Sequence, residues 1–243
     1  MSSPLEGDLM VTRLRDGVWW IDLRGVNAYL VDDDGDLTLV DAGMPWQAGD
    51  VVDAVVEAGF VLDDLDRVLV THYDPDHVGG LSRLDGLDIT IYVGQTDAPL
   101  VTGRERPSRS TPKALLQRLF DRFYTPPKNE VVPLTDGDRV GSFTVHETPG
   151  HTPGHVAYYS GTLGVAILGD LVRESDGRLV PSPWYLSVDT GAVRESIHRF
   201  ADVAGDFEAA AIGHGVPFER AGRDRLDELT AVVSPDAATP QVE

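Results

Sequence analysis

Short apolar blocks rich in Val, Ile and Leu recur along the chain, separated by Gly, Asp, Asn and Pro, the pattern of strands bounded by turns. They predict strands near 10–14, 17–23, 26–31, 36–41, 66–71, 89–93, 143–147, 155–160, 164–169 and 208–212. Two windows repeat at helical spacing instead: Val51, Val52, Val55, Val56 and Ala58 within 48–59, and Val193, Ile197, Phe200 and Val203 within 191–204. Strands that first follow one another and then alternate with helices predict an α/β sandwich. No Pro/Ser-rich linker divides the 243 residues, so 1–243 is expected to form one domain, with a polar, frayed tail near 234–243.

Four of these apolar runs end in chemistry. THYDPDHVGG, residues 71–80, follows Val68-Leu69-Val70 and packs His72, Asp74, Asp76 and His77 into six positions. Neutral imidazoles and carboxylate oxygens are ligands for a divalent transition metal, and alternate residues of an extended loop can converge on one point. The same residues would also suit an acidic turn with a helix N-cap. TPGHTPGH (148–155) places His151 and His155 in a Gly/Pro-rich loop after a strand; ILGD (167–170) ends in Asp170, and AIGHG (211–215) carries His214. Runs in series that each finish in His or Asp beside Gly predict a site at one edge of a sheet. Of the other histidines, His155 is expected to enter the next strand, His146 to alternate out of its strand, and His198 to be solvated on its helix.

The order of these segments resembles the metallo-beta-lactamase fold superfamily over roughly residues 9–230, whose usual first motif is His-x-His-x-Asp-His. VNAYLVDDDGDLTLVDAG (26–43) also resembles its opening strands, with Asp41 where an aspartate orients a ligating imidazole. The resemblance implies a four-layer αβ/βα sandwich and two divalent metal ions. His72, Asp74 and His151 would hold one, Asp76, His77 and His214 the other, and Asp170 would bridge them. Zinc is the first candidate, with iron or manganese as alternatives. Asp76 is the implied catalytic residue, orienting a metal-bound hydroxide.

Asp74 departs from the family pattern, standing where the second histidine is usual. Its carboxylate would lower the formal charge of a two-metal site by one unit, weaken Lewis acidity and shift preference toward iron or manganese. If it turned outward, one site would be weak or empty. The chain pattern is similar to glyoxalase II-like thioesterases and lactonase-like hydrolases, which implies hydrolysis of an ester, thioester or lactone of a small anionic molecule. A nuclease of the same superfamily, an iron-dependent oxidoreductase and a degenerate metal-binding relative without activity are the alternatives.

Charge adds a further constraint. Forty acidic residues face 20 basic ones for a net charge of -20, and Lys113 and Lys128 are the only lysines. Such self-repulsion is relieved by dissolved salt, so a halophilic protein is expected, and nucleic acid is disfavoured as a partner. Residues 104–128 reverse the sign: Arg104, Arg106, Arg109, Lys113, Arg118, Arg122 and Lys128 outnumber Glu105 and Asp121. Leu115, Leu116, Leu119, Phe120 and Phe123 recur there at helical spacing, predicting an amphipathic helix between Pro112 and Pro126-Pro127. In the superfamily an insertion at this point commonly overhangs the site. Its cations would receive an anionic substrate, or the helix would dock on the acidic surface or on a second subunit of a homodimer. The absence of cysteine excludes disulfides and thiolate ligands. MSSPLEGDLM lacks a secretory layout and no apolar run reaches the ~18 residues of a membrane span, so a cytoplasmic protein without membrane contact is expected. If the acidic surface is a salt adaptation, the melting temperature should rise between low and molar salt; a flat response would remove that inference.

Overall fold

Alternate residues of a strand face opposite sides of its sheet, and here that rule distributes the apolar residues over three cores. The structure, a computed structural model, describes residues 10–108 and 111–235, with the backbone alone at 10, 112, 116 and 120. One sheet takes its seven strands in chain order: β1 (Met10–Arg15), β2 (Val18–Asp22), β3 (Asn27–Asp33), β4 (Asp36–Val40), β5 (Leu65–Val70), β6 (Thr90–Gly94) and β7 (Glu130–Leu134). The first four pair antiparallel through tight turns, and β4 to β7 run parallel. Parallel neighbours need crossovers. These carry the helices α1 (Ala48–Glu57), α2 (Pro75–Val78), α3 (Ala98–Val101) and α4 (Pro112–Phe120).

The second sheet contains β8 (Arg139–Val140), β9 (Phe143–Glu147), β10 (Val156–Ser160), β11 (Val165–Gly169) and β14 (Ala209–Ile212), in the order β14-β11-β10-β9-β8. A hairpin of β12 (Val172–Ser175) and β13 (Arg178–Pro181) follows β11, and α5 (Thr190–Val203) and α6 (Gly222–Val232) flank β14 in sequence.

Val68 and Val70 of β5 pack with Val51 and Val55 of α1. Leu69, between them in sequence, faces the other way and meets Tyr158, Ile167 and Ala211 of the second sheet. On that sheet Ala166, Leu168 and Ile212 in turn face Val193, Ile197 and Phe200 of α5 and Leu226 and Leu229 of α6. The result is helix, sheet, sheet, helix, the expected four-layer arrangement.

Several elements were not expected from the sequence. β7 contains Pro133 and lies at the edge of its sheet, where a missing N–H is tolerated. The β12–β13 hairpin turns at Asp176-Gly177, both with positive φ, but its polar first strand lacks an apolar run. Helix α6 buries few of its apolar side chains, Leu226 and Leu229 among them. His198 is not simply solvated, because its Nε2 donates to the Val233 carbonyl at 2.7 Å. The frayed tail expected near 234–243 lies outside the described residues from 236 onward.

The largest departure is α4. Thr111 caps it by accepting from the Ala114 N–H at 3.1 Å, and Pro112 opens it, so the helix starts where the sequence places it. Two of its leucines, however, are turned outward: Leu115 and Leu119 are 59% and 56% exposed, whereas Lys113 and Gln117 are 6% and 7% exposed. Polar partners beneath the helix hold it in this orientation against the transfer of Leu115 and Leu119 out of water.

Asn27 ties the two sheets together behind the strand ends. Its Nδ2 donates to the carbonyls of Ile212 (2.9 Å) and Gly215 (2.7 Å), and its Oδ1 accepts from Trp20 Nε1 at 2.8 Å. Asn27→Ala would leave the buried Trp20 N–H without an acceptor and free the loop around His214. We expect a loss of about 2 kcal/mol in denaturant unfolding; an unchanged midpoint would show that this link is not holding the sheets.

Candidate metal centre

Every side chain singled out by the sequence leaves the C-terminal end of a strand at the edge where the two sheets meet. His72 and Asp74 follow β5, His151 follows β9, Asp170 follows β11 and His214 follows β14. Pro75 opens α2, whose single turn presents Asp76 and His77. Asp74 occupies the N-cap position of α2, but its carboxylate makes no capping bond. It is buried and turned into the cluster, which excludes both the capping turn and an outward-facing Asp74. Close approach requires glycine beside these residues. A Cβ on Gly80 would lie 2.1 Å from the Ala42 carbonyl, and one on Gly213 would lie 1.9 Å from Asp170 Oδ1.

Four imidazoles are oriented alike, each with Nδ1 engaged from behind and Nε2 directed at the cluster. Asp41 follows β4 with φ +58, and its Oδ1 accepts from the Thr71 N–H at 2.8 Å. Its Oδ2 accepts from Thr71 Oγ1 at 2.7 Å and from His77 Nδ1 at 2.8 Å. Thr71 Oγ1 in turn accepts from His72 Nδ1 at 3.0 Å. His151 Nδ1 is held by Ser182 Oγ at 2.9 Å and His214 Nδ1 by the Gly25 carbonyl at 2.6 Å. These bonds select the tautomer in which Nε2 is free to ligate.

Asp170 lies at the middle. Its Oδ2 is 3.2 Å from His151 Nε2 and 3.2 Å from His214 Nε2, and its Oδ1 is 3.6 Å from His77 Nε2. Asp74 Oδ2 lies 3.2 Å from His72 Nε2 and 3.0 Å from His151 Nε2, and Asp76 Oδ2 lies 3.4 Å from His214 Nε2. Three overlapping groups have donor atoms within 4.8 Å of one another: His72, Asp74 and His151; Asp76, His77 and His214; and His72, His77 and Asp170. The first two are the sets named from the sequence. His77 Nε2 and Asp170 Oδ1 are buried with no hydrogen-bond partner, and a cation between them would satisfy both. The donor set therefore fits a divalent metal ion at Asp76, His77, His214 and Asp170.

The sequence profile of the metallo-beta-lactamase superfamily matches residues 21–231. The chain belongs to that superfamily. It is 28% identical over 242 residues to the probable metallo-hydrolase YflN of Bacillus subtilis, covering 90% of each chain. It is 33% identical over 159 residues to a hydroxyacylglutathione hydrolase of Cereibacter sphaeroides, covering 63% of this chain and 50% of that one. Among solved structures, a metallo-beta-lactamase family protein of Thermus thermophilus superposes with a TM-score of 0.65 at 26% identity, covering 90% of this chain and 80% of that one. The subclass B3 metallo-beta-lactamase BJP-1 of Bradyrhizobium japonicum superposes at 0.68 with 22% identity over 93% and 91%, a likeness of fold. The chain is a metal-dependent hydrolase of this superfamily.

Two residues at this metallo-beta-lactamase centre, Gln117 and Asp97, were not expected from the sequence, and Lys113, expected only as a cation of an overhanging segment, meets the ligand candidates themselves. Lys113 Nζ lies 2.8 Å from Asp74 Oδ2 and donates to His151 Nε2. Gln117, one turn along α4, donates to Asp74 Oδ1 at 2.5 Å and to the Tyr73 carbonyl at 2.8 Å. Asp97, just after β6, accepts from the Tyr73 N–H at 2.8 Å and Thr152 Oγ1 at 3.1 Å, joining two loops that carry ligand candidates. The available signals were faint: Lys113 is one of two lysines, and Asp97 follows the apolar run of β6 after a short turn. His155 lies immediately before β10, one residue short of the strand it was expected to enter, and its Nε2 accepts from the Asp170 N–H at 3.1 Å, fixing that aspartate from behind.

Charge at the centre is held by mutual compensation. Burial opposes a charge on His77, but Asp41, Asp76 and Asp170 outweigh it and raise its pKa to about 10. For His214 burial is likewise overcome, chiefly by Asp170, giving about 9. Asp74 and Asp170 are pulled well below the usual carboxylate range against their burial, Asp74 chiefly by Lys113 and Asp170 chiefly by His214 and His151. In the metal-free protein the histidine contribution to stability is complete below the ordinary value of 6.5 and is lost as pH rises through about 9 and about 10. The aspartate contribution is complete above 3.8 and is lost as pH falls through their lower folded values. Chelator-treated protein should therefore melt highest in weakly acidic solution and lose stability from neutral pH to about pH 10. A melting temperature that rises over that alkaline range would contradict these charge assignments.

Proposed function

We propose that this hydrolase cleaves an ester, thioester or lactone bond in a small anionic molecule, with divalent metal ions, zinc first, held by His72, Asp74, Asp76, His77, His151, Asp170 and His214. The observation that carries this reading is the unpartnered pair His77 Nε2 and Asp170 Oδ1 behind a small cavity. That cavity, about 200 Å³, is lined by Met44, Asp76, Lys113, Asp170, Leu186 and His214 among others. A second, about 330 Å³, shares Asp170, Leu186 and His214 and adds Arg173 and Ser182. Volumes of this size suit a small molecule. The likeness to a hydroxyacylglutathione hydrolase supports a thioester, although the chain spans only half of that relative.

A metal ion in this cluster supplies Lewis acidity and lowers the pKa of water beside it. Asp76, half-buried at the cavity wall, accepts the proton of the attacking water and passes it to the departing oxygen or sulfur. Esters, thioesters and lactones need less acid assistance at that step than an amide nitrogen does. Met44 and Leu186 limit water on the apolar side.

Of the basic segment expected to receive an anionic substrate, Lys113 lines a cavity, whereas Arg118 and Arg106 do not. Arg118 donates to the Pro107 carbonyl at 3.1 Å and Arg106 pairs with Asp121 at 3.7 Å, so neither lines either cavity. Arg109 lies outside the described residues. Arg173 and Lys113 line the two cavities and are the cations that support an anionic substrate. The net charge of -20 supports a salt-rich cytoplasmic setting, and no described helix is long and apolar enough to cross a membrane.

The test is turnover on an acyl-glutathione, an aryl ester and a lactone, with metal content measured on the same samples. Asp170→Ala removes the carboxylate common to both halves of the cluster, so bound metal and turnover should both fall to background. Full metal content in this variant would show that Asp170 is not a shared ligand. Failure of the metal-loaded wild type on all three substrates would sink the acyl-hydrolase reading.

A further inference from the structure

Helix α4 makes contact with the centre through Lys113 and Gln117, two points one turn apart. Lys113 reaches Asp74 Oδ2 at 2.8 Å and His151 Nε2, and Gln117 reaches Asp74 Oδ1 at 2.5 Å. Both side chains are more than nine-tenths buried, and Leu115 and Leu119 of the same helix are left in solvent. This orientation places a cation in the His72–Asp74–His151 group, where a metal ion would otherwise lie.

The two cations cannot share that position. His151 Nδ1 is committed to Ser182, so Nε2 offers a single lone pair, and the Lys113 ammonium uses it. Charge balance gives the same answer. Asp74, Asp76 and Asp170 together carry three negative charges, which one divalent ion and one ammonium neutralise. Two divalent ions with the ammonium still in place would leave an excess of two positive charges in a largely buried site, an expensive arrangement.

Resting on the metal-centre reading above, we infer that Lys113 takes the place of a metal ion at the His72–Asp74–His151 group. With α4 closed the protein holds one divalent ion, at Asp76, His77 and His214 beside Asp170, and a second enters only when α4 withdraws its ammonium. Asp74 is then the receptor for α4. The substitution of aspartate for the superfamily's usual histidine and the presence of a lysine on the insertion are two halves of one device. The consequence for the reaction is that a substrate in the adjoining cavity meets an ammonium, a hydrogen-bond donor, on the side where a second Lewis acid would otherwise stand.

The experiment is a zinc titration of the full chain after chelator treatment, read by elemental analysis and by hydrogen exchange of the amides of residues 113–120. Wild type should take up one tight equivalent with α4 protected, and exchange in α4 should increase only as excess zinc fills a second site. Lys113→Met should bind a second equivalent at least about tenfold more tightly than wild type. Lys113→Arg, which keeps the charge, should stay at one and serves as the control for folding. Two tight equivalents in wild type with α4 still protected would overturn the role of Lys113 and leave the metal centre standing, as would a single equivalent in Lys113→Met. No tight zinc in any of the three proteins would overturn the metal centre itself.

Discussion

Three carboxylates, Asp74, Asp76 and Asp170, converge at the edge where two sheets meet, two of them buried, and their mutual repulsion is the constraint that the rest of the centre answers. An isolated buried carboxylate would take up a proton. Asp74 and Asp170 are instead held in the charged form by Lys113 and by surrounding imidazoles. The same field raises His77 and His214, so these two imidazoles owe their charge state to the carboxylates around them. The cluster is therefore demanding of cations, and the chain supplies one of its own.

The scaffold meets this demand by fixing directions. β5 and β11 end in the two different sheets, yet the residues that follow them meet because Val156 donates to the Thr71 carbonyl at 2.9 Å and Asn27 spans to Ile212 and Gly215. Asp41, Thr71, His72 and His77 form a continuous hydrogen-bonded set, so the loops after β4 and β5 cannot shift independently. Gly213 and Gly80 keep these loops close enough for that set to form. Sheet packing, loop geometry and imidazole orientation are thus one connected structure.

Much of this was legible in the sequence because it follows from local rules. An apolar run ending in His or Asp beside Gly marks a strand whose end carries chemistry; that rule picks out His155 as well, and the resemblance to the superfamily separated it from the seven residues that meet in one cluster. Strand positions were legible wherever both faces of a strand are apolar, as in β5 and β11. They were not where an edge strand carries proline, as in β7, or where a hairpin strand is polar, as in β12. Lys113 and Gln117 were illegible for a different reason. They lie 39 and 43 residues beyond Asp74 in the chain, and helical periodicity reports only which residues share a face, not which face goes inward.

Helix α4 shows how that choice is made. Burying Leu115 and Leu119 would recover about 1.5–3 kcal/mol for each fully buried side chain. Turning the helix that way would carry Lys113 off Asp74 and leave a buried charge without its partner, a loss of about 3–5 kcal/mol, together with the Gln117 bonds to Asp74 and to the Tyr73 carbonyl. The two sums are comparable, so the partners of Asp74 can decide the orientation, and anything that replaces Lys113 as the cation on Asp74 weakens the hold on the inverted helix. A helix with Leu115 and Leu119 in water and Lys113 in the core is thus tied to the ionic state of the centre beneath it. That dependence follows from a single aspartate in the first motif, because a neutral histidine at residue 74 would give the ammonium no carboxylate to meet.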